Sequence, residues 1–427
     1  MTDPRSAAPN NQIEAWIARL IKLTWGIYAV GGLYLVGPVL GWALGALAAF
    51  AIYLRPAIHS DFRIGQAIPP VVWGWIAGML AMLVALWIGH FDWNFGVADT
   101  IKSTIGWAKG WALLALFPLA GAILPIRRQP IVRAHCYLGA FTLALLAVLV
   151  VASYIGLPSL LFTSPLKIVG GPGPEYFSVY LYTLDPSTWT PRWQFYLPWS
   201  PFAGLMGVVM VLFARDERKL SWKVLGITAG LAMIVLSKSR MSLIGLPVCI
   251  VLPSLLPLIL KSRVWAAASL GMASLAIIGE AILNKVREAI TGFKQARADS
   301  SRVRETLQRI AEERWSNEAV WFGHGTVERG PHLVEYMPIG SHHTWYGLLF
   351  VKGIAGVLAL AIPLAWQVGL AAVDATRGPR GRLPLGLLLV FIILSAGENL
   401  EIEAYMLWPA LLILGIHARE LYESARP

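Results

Sequence analysis

Two adjacent histidines stand where a polar, arginine-rich stretch of the chain meets a long apolar one. His342 and His343 follow Gly340-Ser341, and the apolar run begins at Trp345. An unperturbed imidazole has a pKa of about 6.5, so much of it is neutral near pH 7 and can accept a proton. The pair either acts as a base at a membrane boundary or only anchors the end of a helix.

A second chemical feature is a set of arginines near the same boundary and at the edge of an earlier apolar run. Arg302 and Arg304 stand at the start of a predicted helix, and Arg240 lies in a connection so short that it must sit at the membrane edge. The planar, permanently charged guanidinium matches phosphate oxygens, so these residues predict an anion site. The alternative for Arg240 is a structural ion pair with Glu280 or with the acidic stretch 398–403.

The long apolar runs indicate the class of protein that must position these residues. Of the 427 residues, 57% are hydrophobic and only 14% are charged, whereas a soluble domain is nearer half apolar and a quarter charged. About twelve runs approach the roughly 20 apolar residues that span a membrane. The sequence therefore predicts an all-α, polytopic membrane protein. The predicted spans are Ile17–Val36, Val39–Leu54, Val71–Ile88, Trp107–Leu124, Ala134–Ile155, Pro201–Phe213, Val224–Leu236, Met241–Leu260, Trp265–Leu283, Trp345–Val368, Leu383–Ala396 and Tyr405–Ile416.

The charges between these spans predict the orientation of the chain. The connections after even-numbered spans carry most of the arginines and lysines of the short loops, and the short connections after odd-numbered spans carry few. Cytoplasmic loops are normally basic, so we expect both termini in the cytoplasm. Part of the net charge of +11 is explained by this rule.

Two large external segments follow from this topology. Residues 158–199 are rich in glycine, proline and aromatic side chains, which suit either stacking on sugar rings and lipid head groups or an interfacial belt along the membrane. Residues 284–343 form a periplasmic segment of short helices before the tenth span. The predicted organisation is therefore 1–283 with nine spans, 284–343 with the arginine cluster and the histidines, and 344–427 with three spans and a cytoplasmic tail.

The second external segment contains an amphipathic helix. Its apolar positions recur at helical spacing, which predicts a helix lying over the membrane with a basic opposite face. On that face we assign Arg309 and Arg314 to ion pairs with Glu305, Glu312 and Glu313 along the helix. The apolar positions are Val303, Leu307, Ile310 and Trp315.

Several other kinds of chemistry are not indicated by any motif. The chain has no P-loop, no glycine-rich dinucleotide fingerprint and no paired Cys or His/Asp spacing of a metal site. Cys136 and Cys249 lie in apolar runs and predict no disulfide. A metal site built from His324, His332 and His342 has no supporting spacing. We therefore predict no cofactor, no metal, no nucleotide energy source and no nucleic-acid partner.

The spacing around His342 resembles a signature of the O-antigen ligase and polymerase superfamily of bacterial envelope membrane proteins. In that family a histidine is followed by a small polar residue, nine further positions, a glycine, two more positions and a second glycine. His342, His343, Gly353 and Gly356 fit this spacing, with His343 where Asn, Ser or Gln is usual. Being three apart, the two glycines would also let another helix approach the tenth span closely.

Three further stretches resemble parts of the same family, and the similarity covers about half the chain, from Arg192 onward. Ser239-Arg240 resembles a Ser-Arg at the outer end of a middle span. The stretch from Ser300-Ser301-Arg302 to Phe322-Gly323-His324-Gly325 resembles the arginine, the amphipathic helix and the Gly-x-Gly that precede the histidine. Arg192 to Pro201 resembles an arginine followed by an Asn-Pro-Asn turn, which here reads Pro198-Trp199-Ser200-Pro201.

The resemblance implies a glycosyl transfer at the periplasmic face of the bacterial inner membrane. The expected donor is a glycan on undecaprenyl pyrophosphate, and the expected acceptor is a sugar hydroxyl of lipid A–core oligosaccharide, both held among membrane lipids. The catalytic base is expected in the pair His342 and His343, with His342 preferred. The residues expected to bind the pyrophosphate are Arg192, Arg240, Arg302 and Arg304. The activated donor already contains the driving force, so no ATP is expected, and no metal is expected because the arginines can replace it electrostatically.

Three other functions remain open. A glycan polymerase would use the same donor with a second lipid-linked glycan as acceptor, and a protein O-glycosyltransferase would use a protein hydroxyl. From a different class, a transporter or carrier of lipid-linked glycans would use the arginines only to bind its cargo. Loss of product with retained donor binding in a histidine variant would separate the enzyme from the carrier.

Overall fold

The structure is a computed structural model that describes residues 7–53, 68–185, 188–259, 285 and 298–425. Its regular structure is almost entirely helical. In chain order the helices are α1 (Gln12–Lys22), α2 (Thr24–Ala29), α3 (Leu33–Tyr53), α4 (Pro70–Asp92), α5 (Val97–Lys109), α6 (Leu113–Ile123), α7 (Arg128–Tyr154), α8 (Ser200–Asp216), α9 (Leu220–Leu236), α10 (Arg240–Ile259), α11 (Ala298–Glu318), α12 (Thr344–Arg377), α13 (Arg382–Ser395) and α14 (Leu400–Ser424). The short strands are β1 (Leu160–Thr163), β2 (Ser178–Tyr180), β3 (Thr183–Leu184) and β4 (Pro191–Arg192).

Seven helical segments of the described part are long and apolar enough to cross a membrane: α3, α4, the pair α5–α6, α7, α10, α12 and α14. They indicate a membrane protein and confirm the helical fold class. The predicted ninth span, Trp265–Leu283, lies outside the described residues, as does nearly all of the stretch 284–297. The count of about twelve spans and the external position of residues 284–343 stay predictions.

The predicted boundary between the first two spans is wrong. The sequence placed a turn at Gly37-Pro38, but α3 continues through both residues. The chain turns earlier, at Gly31, whose φ of 68° suits glycine and whose missing side chain leaves room for Ser164. Proline is tolerated inside membrane helices because neighbouring groups satisfy the freed carbonyl, so Gly-Pro is a weaker turn signal here than in a soluble protein.

Two helices form the centre of the bundle. Nearly every side chain of α8 is buried, and so is most of α14. α8 packs against α7, α9, α10 and α13, while α14 packs against α3 and α6. A Cβ at Gly207 of α8 or at Gly121 of α6 would collide with a carbonyl oxygen of the neighbouring helix. Small residues permit this close backbone approach, which stabilises membrane bundles by van der Waals contact.

The aromatic segment 158–199 folds back onto the helices. β1 pairs antiparallel with β2, and β3 pairs antiparallel with β4. Most of its rings are buried, and Trp193 is tied to two helices because its backbone N donates to Leu236 O and its Nε1 donates to Leu149 O, both at 3.2 Å. The buried rings are Tyr176, Phe177, Tyr182, Trp193, Phe195 and Tyr196. These residues belong to the protein core, which neither sequence interpretation of the segment anticipated.

Helix α12 is interrupted at Gly353, which has φ 60° and ψ −161°. Such a break leaves backbone groups on both sides without helical partners. The loop 320–325 supplies the missing partners. The four bonds run from His324 N to Phe350 O (2.8 Å), from Gly325 N to Val351 O (3.0 Å), from Ile354 N to Val320 O (3.0 Å) and from Ala355 N to Trp321 O (3.1 Å).

This interruption corrects the expectation that Gly353 and Gly356 admit another helix. A Cβ on Gly353 would collide with the Trp321 backbone, so the element that approaches there is the loop 320–325. At Gly356 the nearest atoms belong to Lys352 and Leu348 of α12 itself. The sequence correctly singled out a position of close approach but not the partner.

Replacing Gly353 by alanine is expected to destabilise the protein. Alanine is strained at φ 60°, by about 1–3 kcal/mol, and its Cβ would also push the loop away. Gly369 of the same helix is the matched control, because nothing lies within 4 Å of a Cβ at that position. We expect Gly369→Ala to leave the unfolding temperature of the detergent-solubilised protein equal or slightly higher. Equal unfolding temperatures for the two variants would contradict the tight fit at Gly353.

Candidate functional site

The start of α12 is bonded to the turn between α13 and α14. Thr344 Oγ1 donates to the carbonyl oxygen of Glu398 at 2.7 Å and accepts from Leu400 N at 2.8 Å. Trp345 Nε1 donates to Ser395 Oγ at 3.1 Å. Because Thr344 and Ser395 are buried, water does not compete for these bonds. The two helix ends form a fixed frame for the residues that precede Thr344.

His342 lies in this frame beside a buried carboxylate. Its Nδ1 is 3.6 Å from Glu398 Oε2, the distance of a loose ion pair, and the side chains are 36% and 5% exposed. The backbone of His342 is left-handed, with φ 61°, a conformation that is uncommon for residues other than glycine and that concentrates at functional sites. A carboxylate at this distance stabilises the imidazolium that forms when the other ring nitrogen accepts a proton. This arrangement suits a general base.

His343 has a different environment. It is the N-cap residue of α12, and its ring meets the Tyr346 ring edge-to-face with centroids 4.7 Å apart. Its Nδ1 is buried and has no hydrogen-bond partner among the described residues. Burial lowers the pKa of His343 below its ordinary value, which favours the neutral ring. His343 therefore packs at a helix end, whereas His342 faces both solvent and a carboxylate.

Arg240 begins α10 next to the same turn. The following residue, Met241, packs so closely on Gly397 that a Cβ there would lie 2.8 Å from its Sδ. Ser239 stands before the helix, and its Oγ donates to the carbonyl oxygen of Pro201 at 3.3 Å. The Ser239-Arg240 pair therefore borders the turn that carries Glu398. The structure thus brings the predicted Ser-Arg region next to the acidic stretch 398–403.

Arg192 lies at the end of β4, where its guanidinium is 3.5 Å from a carboxylate oxygen of Asp185. The next residue, Trp193, bonds to Leu236 at the end of α9, so β4 lies on the same side of the bundle as the start of α10 and Arg240. The proposed phosphate ligand Arg192 thus already interacts with a carboxylate of its own loop, which would compete with an anionic ligand.

Arg302 and Arg304 lie on the first turns of α11. The predicted helix is confirmed, but its apolar face packs on the chain itself rather than on the membrane. Val303 and Leu307 are buried against Val334 of the following segment. Arg302 and Arg304 flank this face on its two sides, where Arg302 is exposed and Arg304 is half-buried. The arginines therefore lie on a helix that packs against the rest of the chain, because the segment that follows the helix folds back onto its apolar face.

Two ionisable side chains below the site were not predicted to be functional residues. Glu403 is fully buried and accepts from the Tyr176 hydroxyl at 3.3 Å. Lys352 is only 6% exposed, and its Nζ lies 5.6 Å from the centre of the Trp111 ring. Charged groups inside an apolar bundle are rare and are functional candidates. The available signal was the acidic stretch 398–403 at the head of an apolar run, which the sequence interpretation treated chiefly as loop charge.

Within the described ranges no group of three or more His, Cys, Asp or Glu side chains is arranged to hold a metal ion. Metal independence stays a prediction. No protein-family model matches the chain, and neither curated proteins nor solved structures give a match. The functional assignment therefore depends on the residues and their geometry.

Thr344→Ala is expected to lower the stability of the frame around His342. The substitution removes one hydroxyl that bonds two backbone groups, so the expected loss is about 1–3 kcal/mol. Thr344→Ser keeps the hydroxyl and should retain most of the stability. Unfolding temperatures of the two purified variants provide the comparison. If the alanine variant is as stable as the serine variant, the hydroxyl does not hold the two helix ends together.

Proposed function

We propose that the protein is an O-antigen ligase, which moves a polysaccharide from undecaprenyl pyrophosphate to a sugar hydroxyl of lipid A–core oligosaccharide. The observation that carries the proposal is the pairing of His342 with Glu398 at the end of an apolar helix, beside the turn that adjoins Arg240. An oriented imidazole accepts a hydroxyl proton, and nearby cations stabilise a phosphate leaving group. The family resemblance of the sequence favours the same function.

In the proposed reaction the acceptor hydroxyl attacks the anomeric carbon of the donor sugar. The glycosidic C–O bond forms while the C–O bond to the pyrophosphate breaks. His342 takes the hydroxyl proton on Nε2, and Glu398 faces Nδ1 and stabilises the imidazolium that results. Because His342 is partly exposed, the proton then passes to solvent and the base is restored.

The arginines are proposed to hold the pyrophosphate while its negative charge develops. Arg240 is the first candidate because it adjoins the turn that carries Glu398. Arg302 and Arg304 are proposed to contribute from the start of α11, where Arg302 is exposed and Arg304 is half-buried. Arg192 can join them when the phosphate displaces Asp185. The donor bond supplies the driving force and the arginines supply the positive charge, so the scheme uses no ATP, cofactor or metal.

We also propose about twelve spans in the bacterial inner membrane, with both termini in the cytoplasm and the site on the periplasmic side. The loop charges support this orientation. α12 and α13 run antiparallel, because Trp345 at the start of one bonds to Ser395 at the end of the other. The basic connection 377–382 between these helices therefore lies at the opposite end from His342.

A carrier of lipid-linked glycans is the second candidate function. It is favoured by Lys352 and Glu403, which are ionisable groups buried within the apolar bundle. Such groups commonly mark proton routes in transporters. The carrier would bind the same pyrophosphate through the same arginines but would form no glycosidic bond.

Reconstitution of the purified protein with a glycan on undecaprenyl pyrophosphate tests the proposal. Three reactions receive lipid A–core, a second lipid-linked glycan, or no acceptor. A ligase attaches the glycan to lipid A–core, whereas a polymerase elongates the lipid-linked glycan. A carrier moves the donor across the vesicle membrane without a new bond. Ligation that persists without ATP and with a chelator supports the proposed scheme.

His342→Ala is expected to slow transfer by about 10²–10⁴-fold while donor binding is retained, because it removes the base. His343→Asn should be tolerated, since His343 is a packed residue at the helix end. Transfer rate and donor affinity are measured for both variants in folded preparations. A nearly native His342→Ala with an inactive His343→Asn would reverse the assignment. Full activity in both would leave the pair as an anchor only.

Arg240→Ala and Arg302→Ala are each expected to raise the activation barrier by about 2–4 kcal/mol, the effect of losing one contact to a leaving group. Arg309, exposed on the same helix as Arg302, is the matched control and should matter little. Arg240→Lys should rescue poorly because an ammonium group lacks the bidentate fork. The measurement is kcat/KM for the lipid-linked donor. Equal losses for alanine at Arg240, Arg302 and Arg309 would indicate a general electrostatic effect rather than specific contacts with the pyrophosphate.

A further inference from the structure

His324 is buried beside the break in α12, with 1% of the residue exposed. Its Nδ1 lies 3.0 Å from the carbonyl oxygen of Phe350, and its Nε2 lies 2.8 Å from Oε2 of Glu318. A carbonyl oxygen can only accept a hydrogen bond, and so can an ionised carboxylate. Both ring nitrogens therefore face acceptors, and both can donate only when the ring carries two protons.

Arg314 keeps Glu318 in the ionised form. Its guanidinium donates to both carboxylate oxygens of Glu318 at 2.8–3.1 Å and also pairs with Glu328. Hydrogen bonding from Arg314 lowers the pKa of Glu318 to about 2. The assignment of Arg314 to an ion pair is thus confirmed, although its partners differ from the predicted ones. Glu318 presents a carboxylate to His324 throughout the neutral range.

Two aromatic rings cover the faces of the His324 ring. Phe350 is stacked on it with centroids 4.3 Å apart and an interplanar angle of 17°, and Trp93 lies at 4.8 Å with an angle of 30°. The face of an aromatic ring attracts a cation. A charged imidazolium is therefore matched by a carboxylate at its edge and by two aromatic rings packed against it.

We propose that His324 is a positioning residue whose imidazolium locks the loop 320–325 into the break of α12. Phe350 O accepts from His324 twice, from the backbone N at 2.8 Å and from Nδ1 at 3.0 Å. On the other side of the ring, Glu318 ties the loop to α11. The lock therefore fixes the first part of α12, the helix that begins next to His342. Its effect on catalysis rests on the proposed function, but the lock itself does not.

The pH dependence of the lock follows from the proton that it needs. The two ring contacts need two ring protons, so removing one of these protons by raising the pH breaks one contact and loosens the lock. The charged and titratable groups on the surrounding elements are Arg314, Glu318, Glu328, His90, Asp92 and Lys352. His90 needs only one ring proton, because Nδ1 meets the Leu86 carbonyl while the Ser103 hydroxyl can donate to Nε2. Lys352 lies over Trp111.

The first test is the protonation of the ring. Histidine-specific ¹⁵N NMR of the full-length protein in detergent, with the His324 signals assigned by their absence in His324→Gln, reports both ring nitrogens. The expected result is a proton on both ring nitrogens of His324 at pH 7, with the signals of the exposed His332 as the internal reference. A neutral tautomer of His324 at pH 7 would overturn the proposal.

The second test compares two glutamine variants by hydrogen exchange at the amides of Ile354 and Ala355, which donate into the loop. In the wild type, exchange corrected for intrinsic rates should accelerate about 10- to 100-fold from neutral to alkaline pH, the effect of one charge-assisted hydrogen bond. Glu318→Gln should abolish this acceleration, because the amide group of the new glutamine can donate to Nε2 of a neutral His324 ring. Glu328→Gln is the matched control, since it removes another partner of Arg314 and leaves the His324 contact intact.

A flat wild-type profile, or an equal pH response in Glu318→Gln and Glu328→Gln, would overturn the lock. Glycan transfer is measured over the same pH range in the same three proteins. If the exchange pattern appears but no variant or wild type transfers glycan, the proposed function fails and the lock stands. If transfer occurs and its alkaline limb is unchanged in Glu318→Gln, His324 does not position the catalytic helix.

Discussion

Backbone groups in the apolar interior of a helix bundle must find hydrogen-bond partners within the protein. Each unsatisfied group there destabilises the fold by several kcal/mol. The interruption of α12 at Gly353 is possible only because the loop 320–325 meets this requirement on both sides of the break. The loop is tied to α11 through Glu318, and α11 packs on the segment that leads to His342. The position of the histidine pair therefore depends on the backbone hydrogen bonds between the loop 320–325 and α12, which lie some distance away from the pair.

The fold class could be predicted from the sequence because helix length and hydropathy are local properties. Most predicted spans coincide with helices of the structure, and the apolar spacing of α11 is confirmed. The turn at Gly37-Pro38 was wrong because the tolerance of a membrane helix for proline depends on its neighbours, and here Gly37 packs on the Tyr405 backbone. The burial of the aromatic segment was missed because composition does not distinguish a ring that faces solvent from one in the core.

The candidate site could be predicted only in part, for a related reason. Histidine and arginine at the ends of apolar runs are unusual enough to be noticed one at a time, which identified His342 and Arg240. Glu398 lies far from His342 in the chain, and the two meet only because α12 and α13 are antiparallel and Thr344 bonds to the next turn. The same holds for His324, whose two ring nitrogens face acceptors from two other elements.

The acidic turn also constrains where an anionic donor can bind in the proposed reaction. Two like charges 4 Å apart repel by about 4 kcal/mol at an effective dielectric constant of about 20. A pyrophosphate placed against Glu398 would experience this repulsion, whereas the cations proposed on α10 and α11 would attract it. In the proposed reaction the carboxylate would therefore do more than stabilise the imidazolium of His342. It would also disfavour a phosphate oxygen next to the base, so that the imidazole meets the neutral acceptor hydroxyl.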